Sequence, residues 1–75
     1  MGYTYEDIMN KMPMTARKHI EDMHQHIAKV KEMGHTQLVK EYKDGQRGYI
    51  ICLRDLGYIN DVDFRRLIIR YVQRW

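Results

Sequence analysis

The chain has 75 residues, of which 44% are hydrophobic and 31% charged, with a formal net charge of +3 at pH 7. This length allows one small domain with a marginal core, and the composition excludes a low-complexity or disulfide-rich protein. A single cysteine, Cys52, excludes an intramolecular disulfide. No apolar segment approaches the roughly 20 residues that span a bilayer. We therefore predict a cytoplasmic protein that does not associate with membranes.

The positive charge is concentrated in the second half of the chain. Residues 1–34 contain five Lys or Arg and five Asp or Glu, whereas residues 35–75 contain eight and five. Every arginine except Arg17 lies at or after Arg47. Because arginine makes bidentate contacts to carboxylates and phosphates and is less strongly hydrated than lysine, this distribution indicates a contact surface in the second half.

The first two predicted helices extend from Thr4 to about residue 12 and from about Thr15 to Met33. Thr4 is a good N-cap for the first helix, and Pro13 ends it. Gly34 stands where a left-handed C-terminal cap of the second helix is expected. The apolar residues of the second helix recur at intervals of three and four. They are Ala16, Ile20, Met23, Ile27 and Val30.

A third helix is predicted from about residue 36 to residue 56, because residues suited to a buried face recur there at helical spacing without interruption. The residues on this helical phase are Leu38, Tyr42, Gly45, Tyr49, Cys52 and Leu56. They predict that Gly45 and Cys52 are buried, with Gly45 permitting close approach of another helix. In the alternative interpretation "GYIICL" (residues 48–53) is a strand, but no convincing partner strand is visible.

A fourth helix follows a short turn. Leu56 ends the third helix, Gly57 caps it, and Asn60 is the predicted N-cap of the fourth. Asp61 and Asp63 in the first turn suit the positive end of the helix dipole. The apolar face of this helix consists of Phe64, Leu67, Ile68, Tyr71, Val72 and Trp75. The predicted fold is therefore all-α: a short N-terminal helix and three longer ones, with the last two forming a helical hairpin.

The closing hairpin does not fit the helix-turn-helix that reads DNA. If Gly57 takes the usual turn position, Leu53 is too large for the position four residues earlier. Asp63 then occupies a position that requires an apolar residue, and Phe64 falls one residue late. We predict instead that the two helices of the hairpin pack against each other, with the side chains of Leu53, Phe64 and Tyr71 buried and the arginines exposed.

Residues 49–72 contain an ordered set of hairpin residues. The set is Leu53, Leu56, Gly57, Ile59, Asn60, Asp63 and Phe64. This order resembles the SHOCT pattern, a short C-terminal helical hairpin of many bacterial proteins. It departs from that pattern at Asn60, where Thr is usual, and in its arginine-rich final helix. The resemblance implies oligomerisation or docking rather than chemistry.

Isoleucines lie beside two basic stripes on the last two helices. The third helix carries Lys40, Lys43, Arg47 and Arg54 on one face, and the fourth carries Arg66, Arg70 and Arg74. A solvated outer face is one interpretation of these stripes. Apolar side chains flanked by arginine are, however, typical of protein interfaces. The predicted partner-binding residues are Arg47, Ile50, Ile51, Arg54, Arg66, Ile69, Arg70 and Arg74.

The sequence contains no catalytic pattern. His19, Asp22 and His26 lie on one flank of the second helix, where they could hold a metal ion only with a ligand from elsewhere. We interpret them as polar residues beside a helix seam. No base is indicated for Cys52, the chain has no serine, and no glycine-rich phosphate loop is present. We therefore predict no catalytic residue, no metal and no cofactor.

These observations favour binding as the function. We predict a small non-enzymatic adaptor or inhibitor of a larger protein, a profile found among phage and mobile-element proteins. A homodimer is also predicted, because the isoleucines exceed what a monomer of this size covers. The alternative is a nucleic-acid-binding accessory protein that uses the basic stripes, with weak and salt-sensitive binding.

Overall fold

The computed structural model describes residues 2–73, which form four α-helices. They are α1 (Tyr5–Met9), α2 (Met14–Glu32), α3 (Thr36–Asp55) and α4 (Asp61–Ile68). The last helix continues directly into a π-helical turn, Ile69–Gln73. Residues 2–73 contain no strand, so the all-α prediction is confirmed, and the segment 48–53 is helical. None of the helices in this range has both the length and the apolar character needed to cross a membrane.

Reciprocal hydrogen bonds between side chains and backbone cap the N-termini of α1 and α4 at the predicted residues, Thr4 and Asn60. The Thr4 hydroxyl accepts from the Asp7 N–H at 3.3 Å, and the Asp7 carboxylate accepts from the Thr4 N–H at 2.7 Å. Asn60 and Asp63 repeat the arrangement at 2.8 and 3.3 Å. Each pair satisfies two backbone donors that a helix start leaves without partners.

Two glycines in the left-handed region end the two long helices. Gly34 follows α2 with φ of 80° and Gly57 follows α3 with φ of 87°. Glycine adopts this conformation without the steric cost that a Cβ imposes. Between them α3 is continuous through Asp44 and Gly45, as predicted.

One core joins all four helices. Its buried apolar side chains are Ile8, Met9, Met12, Ala16, Ile20, Ile50, Leu53, Ile59, Leu67, Ile68, Tyr71 and Val72. Leu53 and Tyr71 therefore lie inside the hairpin as predicted. Phe64, predicted inside, is only half-buried, and the Arg54 guanidinium lies 4.4 Å above the ring centroid.

The buried face of α3 differs from the predicted one. Gln46 and Ile50 are both 0% exposed, whereas Gly45 and Cys52 are exposed. The predicted phase was wrong by one residue, which is roughly 100° of helix rotation. Gln46 can occupy the core because its side-chain amide donates to the Ile20 carbonyl at 2.9 Å. Outside the neighbouring turns of α3, no heavy atom of residues 2–73 lies within 4 Å of the position that a Cβ would take at Gly45, so this glycine is not a site of close helix approach.

An ion pair between the exposed Lys11 and the buried Asp63 connects the segment after α1 to the start of α4. Lys11 Nζ lies 2.7 Å from Asp63 Oδ2, and the Asp63 side chain is 0% exposed. Burial acts to raise the pKa of Asp63, but the hydrogen bonds from Lys11 and from the Asn60 N–H outweigh it and hold that pKa below its ordinary value. The hydrogen bond to Asp63 raises the pKa of Lys11. The pair therefore favours the charged form of both groups in the folded state.

This pair should give stability a dependence on pH at both extremes. The pKa of Asp63 is lower when folded, so its contribution is complete above the unfolded value of about 4 and is lost as pH falls through the folded value. The pKa of Lys11 is higher when folded, so its contribution is complete below about pH 10.4 and is lost as pH rises further. Urea denaturation of wild type and Lys11→Met across pH checks this. The difference in unfolding free energy should shrink at both ends, and a constant difference would contradict the prediction.

Candidate functional site

The predicted partner-binding residues do not form one surface. Ile50, predicted on an exposed face, is 0% exposed and belongs to the core, so that prediction was wrong. Ile51 beside it is half-buried, whereas Ile69 is 56% exposed as predicted. Arg74 lies outside the described residues. The helical wheel of α3 misplaced Ile50 because its phase was displaced by one residue.

Two of the predicted arginines make an ion pair or a hydrogen bond within the protein. The Arg54 guanidinium lies over the Phe64 ring and within 3.9 Å of the Asp61 carboxylate. Arg66 donates to the Tyr3 carbonyl at 2.7 Å and fixes the N-terminal segment along α4. Both side chains therefore contribute to the packing of the hairpin.

Ile69 and Gln73 form a ridge on the π-helical turn, with a shallow hollow on each side. One hollow, of about 500 Å³, is lined by Tyr5, Ile69, Arg70 and Gln73. The other, of about 280 Å³, is lined by Phe64, Arg65, Ile68, Ile69 and Gln73. We call these seven residues together the Ile69 face.

The exposure of this ridge follows from the order of buried residues along the helix. Leu67 and Ile68 are buried, and one turn later Tyr71 and Val72 are buried again. The residues between and after these pairs therefore point outward. The backbone passes from α-helical to π-helical hydrogen bonding at Ile69. π-Helical turns are rare in proteins, and those that do occur are often found at functional sites.

Arginine supplies the charge of the Ile69 face. Arg65 and Arg70 line the two hollows, and no carboxylate oxygen lies within 4.0 Å of either guanidinium among residues 2–73. The Arg70 guanidinium lies 4.5 Å above the Tyr5 ring. This cation–π contact restrains the guanidinium and leaves its N–H edge free to donate. The face can therefore present a positioned donor to an acidic group.

A second positively charged surface lies between the end of α2 and the first half of α3. A hollow of about 440 Å³ is lined there by Lys31, Thr36, Val39, Lys40, Lys43, Asp44 and Arg47. We call it the basic cleft. The predicted basic stripe of α3 is thus divided, because Arg47 lies in this cleft whereas Arg54 covers Phe64. Lys31 comes from another helix, and a prediction made one helix at a time could not include it.

The histidines of α2 contact tyrosines of neighbouring elements. The pairs, with distances between ring centroids, are His19–Tyr49 at 4.1 Å, His26–Tyr42 at 4.8 Å and His24–Tyr71 at 5.0 Å. His19 and His26 thus lie beside the seam between α2 and α3. Within residues 2–73, no three His, Cys, Asp or Glu side chains come together as a metal site.

Several residues of the Ile69 face were not among the predicted partner-binding residues. Arg65, Ile69 and Gln73 follow each other at intervals of four, and this spacing could have identified Arg65 and Gln73. Phe64 and Ile68 were assigned to the core because they are apolar. No local signal identifies Tyr5, which reaches the face from the other end of the chain.

Comparison with protein-family models, curated proteins and solved structures finds no match to this chain.

Proposed function

We propose that this protein is a small non-enzymatic adaptor or inhibitor that docks on a larger protein through the Ile69 face. The observation that supports this is an isoleucine that is 56% exposed between two arginines without carboxylate partners in the described part of the chain. An apolar centre with arginine and aromatic residues around it is the composition of binding hot spots. The resemblance of residues 49–72 to the SHOCT hairpin also favours docking.

Nucleic-acid binding through the basic cleft is the second candidate function. Lys31, Lys40, Lys43 and Arg47 line that cleft, and Asp44 is the one acidic residue among those lining it. Clusters of cations bind phosphate backbones with an affinity that falls steeply with salt. None of the described residues that line the cleft is aromatic, so it offers no platform on which single-stranded bases stack. We therefore expect such binding to be weak and independent of sequence.

Photo-crosslinking from single positions in cells that produce the protein tests both candidates. A photoreactive amino acid at position 69 should give a discrete protein adduct, because the ridge would lie within the interface. The same group at position 47 reports on the basic cleft and should give little adduct. Gln25, exposed on α2, is the matched control.

The chemical nature of the adducts decides between the proposals. Nucleic-acid adducts at position 47 together with none at position 69 would overturn docking through the Ile69 face. An adduct of twice the protein's own mass at position 69 would instead identify a second copy as the partner. Light scattering across a concentration series then measures the predicted self-association directly.

A further inference from the structure

We infer that the Ile69 face binds an acidic amphipathic helix of its partner, laid along the ridge of Ile69 and Gln73. This inference rests on the proposed function and specifies the chemistry of the partner at the same face. Three properties of the face support it: its shape, its asymmetry and its charge.

The shape of the face matches the side-chain ridges of a helix. Ile69 and Gln73 are four residues apart, and rows of residues four apart are the ridges that pack into grooves of a neighbouring helix. A hollow lies on each side of this ridge. A partner helix can therefore insert side chains from successive turns on both sides of Ile69.

The two hollows differ in chemistry. Phe64, Ile68 and Ile69 give one hollow an apolar lining. Tyr5 and Arg70 give the other an aromatic wall and a guanidinium held 4.5 Å above the ring. The first hollow suits a leucine or phenylalanine of the partner, and the second suits a carboxylate. A helix with one apolar stripe flanked by glutamate or aspartate supplies both.

The charge of the face disfavours a second copy as its occupant. A symmetric dimer would bring Arg65 and Arg70 of one protomer close to those of the other, and no carboxylate among residues 2–73 lines either hollow. Like charges opposed in an interface cost binding energy. The exposed Ile69 at the centre equally disfavours a phosphate backbone, which gains nothing from contact with an apolar side chain.

Binding of synthetic helices by the whole protein tests this inference. The probe is a peptide of about 18 residues, long enough to cover the roughly 20 Å of residues 61–73, with leucines at i, i+3, i+4 and i+7 and glutamates beside them. One control peptide has the same composition in scrambled order, and another has lysine in place of glutamate. We expect the glutamate helix to bind more tightly than either control, as measured by fluorescence anisotropy.

Matched variants locate the binding on the Ile69 face. Ile69→Gln removes the apolar centre without changing the charge, and we expect it to weaken binding at least about tenfold, as for a hot spot. Arg65→Glu with Arg70→Glu should lose the glutamate helix and gain the lysine helix. Lys18→Glu with Lys29→Glu is the control, because it changes the net charge equally at exposed positions that line neither hollow. Circular dichroism confirms that each variant is folded.

The possible outcomes separate this inference from the proposed function. Equal binding of the scrambled peptide, or an equal effect of the control variant, would overturn the inference, since net charge alone would then explain the binding. Failure of the glutamate helix to bind would also overturn it. If position 69 still crosslinked to a protein in that case, the proposed docking function would stand with a different partner chemistry.

Discussion

Replacing Ile50 by alanine should lower the free energy of unfolding by about 2–5 kcal/mol, the usual cost of emptying a fully buried site. Ile50 is 0% exposed within the core that joins the helices. A loss of this size is a large part of the total stability of a small domain, so the variant should be partly unfolded at physiological temperature. Urea and thermal denaturation followed by circular dichroism measure the change.

The adjacent Ile51→Ala is the matched control for this prediction. Ile51 is half-buried, and its truncation should cost about 1 kcal/mol or less. Equal costs at the two positions would show that α3 does not bury the face seen in the structure. Cys52 gives an independent measure, because it is exposed and should react with a thiol reagent in the folded protein.

The second large effect on the free energy of unfolding is expected from removing the ion pair between Lys11 and Asp63. Asp63→Ala removes hydrogen bonds to a charged group and should cost about 1.5–3 kcal/mol. Lys11→Met should also destabilise the fold, because the Asp63 carboxylate is left buried without its cation. Adding Asp63→Ala to Lys11→Met removes that isolated charge. We therefore expect the double variant to be at least as stable as Lys11→Met alone.

Thermal melts of the three variants form a double-mutant cycle for this pair. Effects that add, within about 0.5 kcal/mol, would mean that the two side chains do not interact in solution. Lys18→Met, at an exposed position of α2, controls for the loss of a lysine charge. It should melt like the wild type.

The helix boundaries were predictable because their determinants are local. The caps at Thr4 and Asn60 each depend on a residue three positions later. Gly34 and Gly57 take the left-handed conformation that few other residues adopt. Because these signals are local, the predicted ends of the second and third helices agree with the structure to within one residue. The first helix is the exception, because α1 ends at Met9, three residues before the predicted end.

The rotation of α3 was not predictable in this way. Gln46 is buried because it reaches the Ile20 carbonyl, which is 26 residues earlier in the chain. A hydrophobic pattern counts glutamine as a surface residue, so the predicted phase shifted toward Gly45 and Cys52. The burial of Asp63 was equally unpredictable, because its partner Lys11 is 52 residues away.

The candidate site was predictable only in part for the same reason. The sequence placed Ile69 and Arg70 on an exposed surface, and both lie on the Ile69 face. It could not indicate that Arg66 binds the Tyr3 carbonyl or that Arg70 stacks on Tyr5, since both contacts join distant parts of the chain. A helical wheel of constant period also does not predict that the helix continues as a π-helical turn.

The connection between α1 and α4 has a consequence for the synthesis of the protein. Ile8 and Met9 of α1 are buried in a core to which Leu67 of α4 also belongs, and Lys11 pairs with a residue 52 positions later. At about 5–20 residues per second, a ribosome needs on the order of 3–10 s to add those residues. During this interval the nascent chain carries the apolar face of α1 without the helix that covers it, so it should be most susceptible to chaperone capture or aggregation before α4 has left the ribosome.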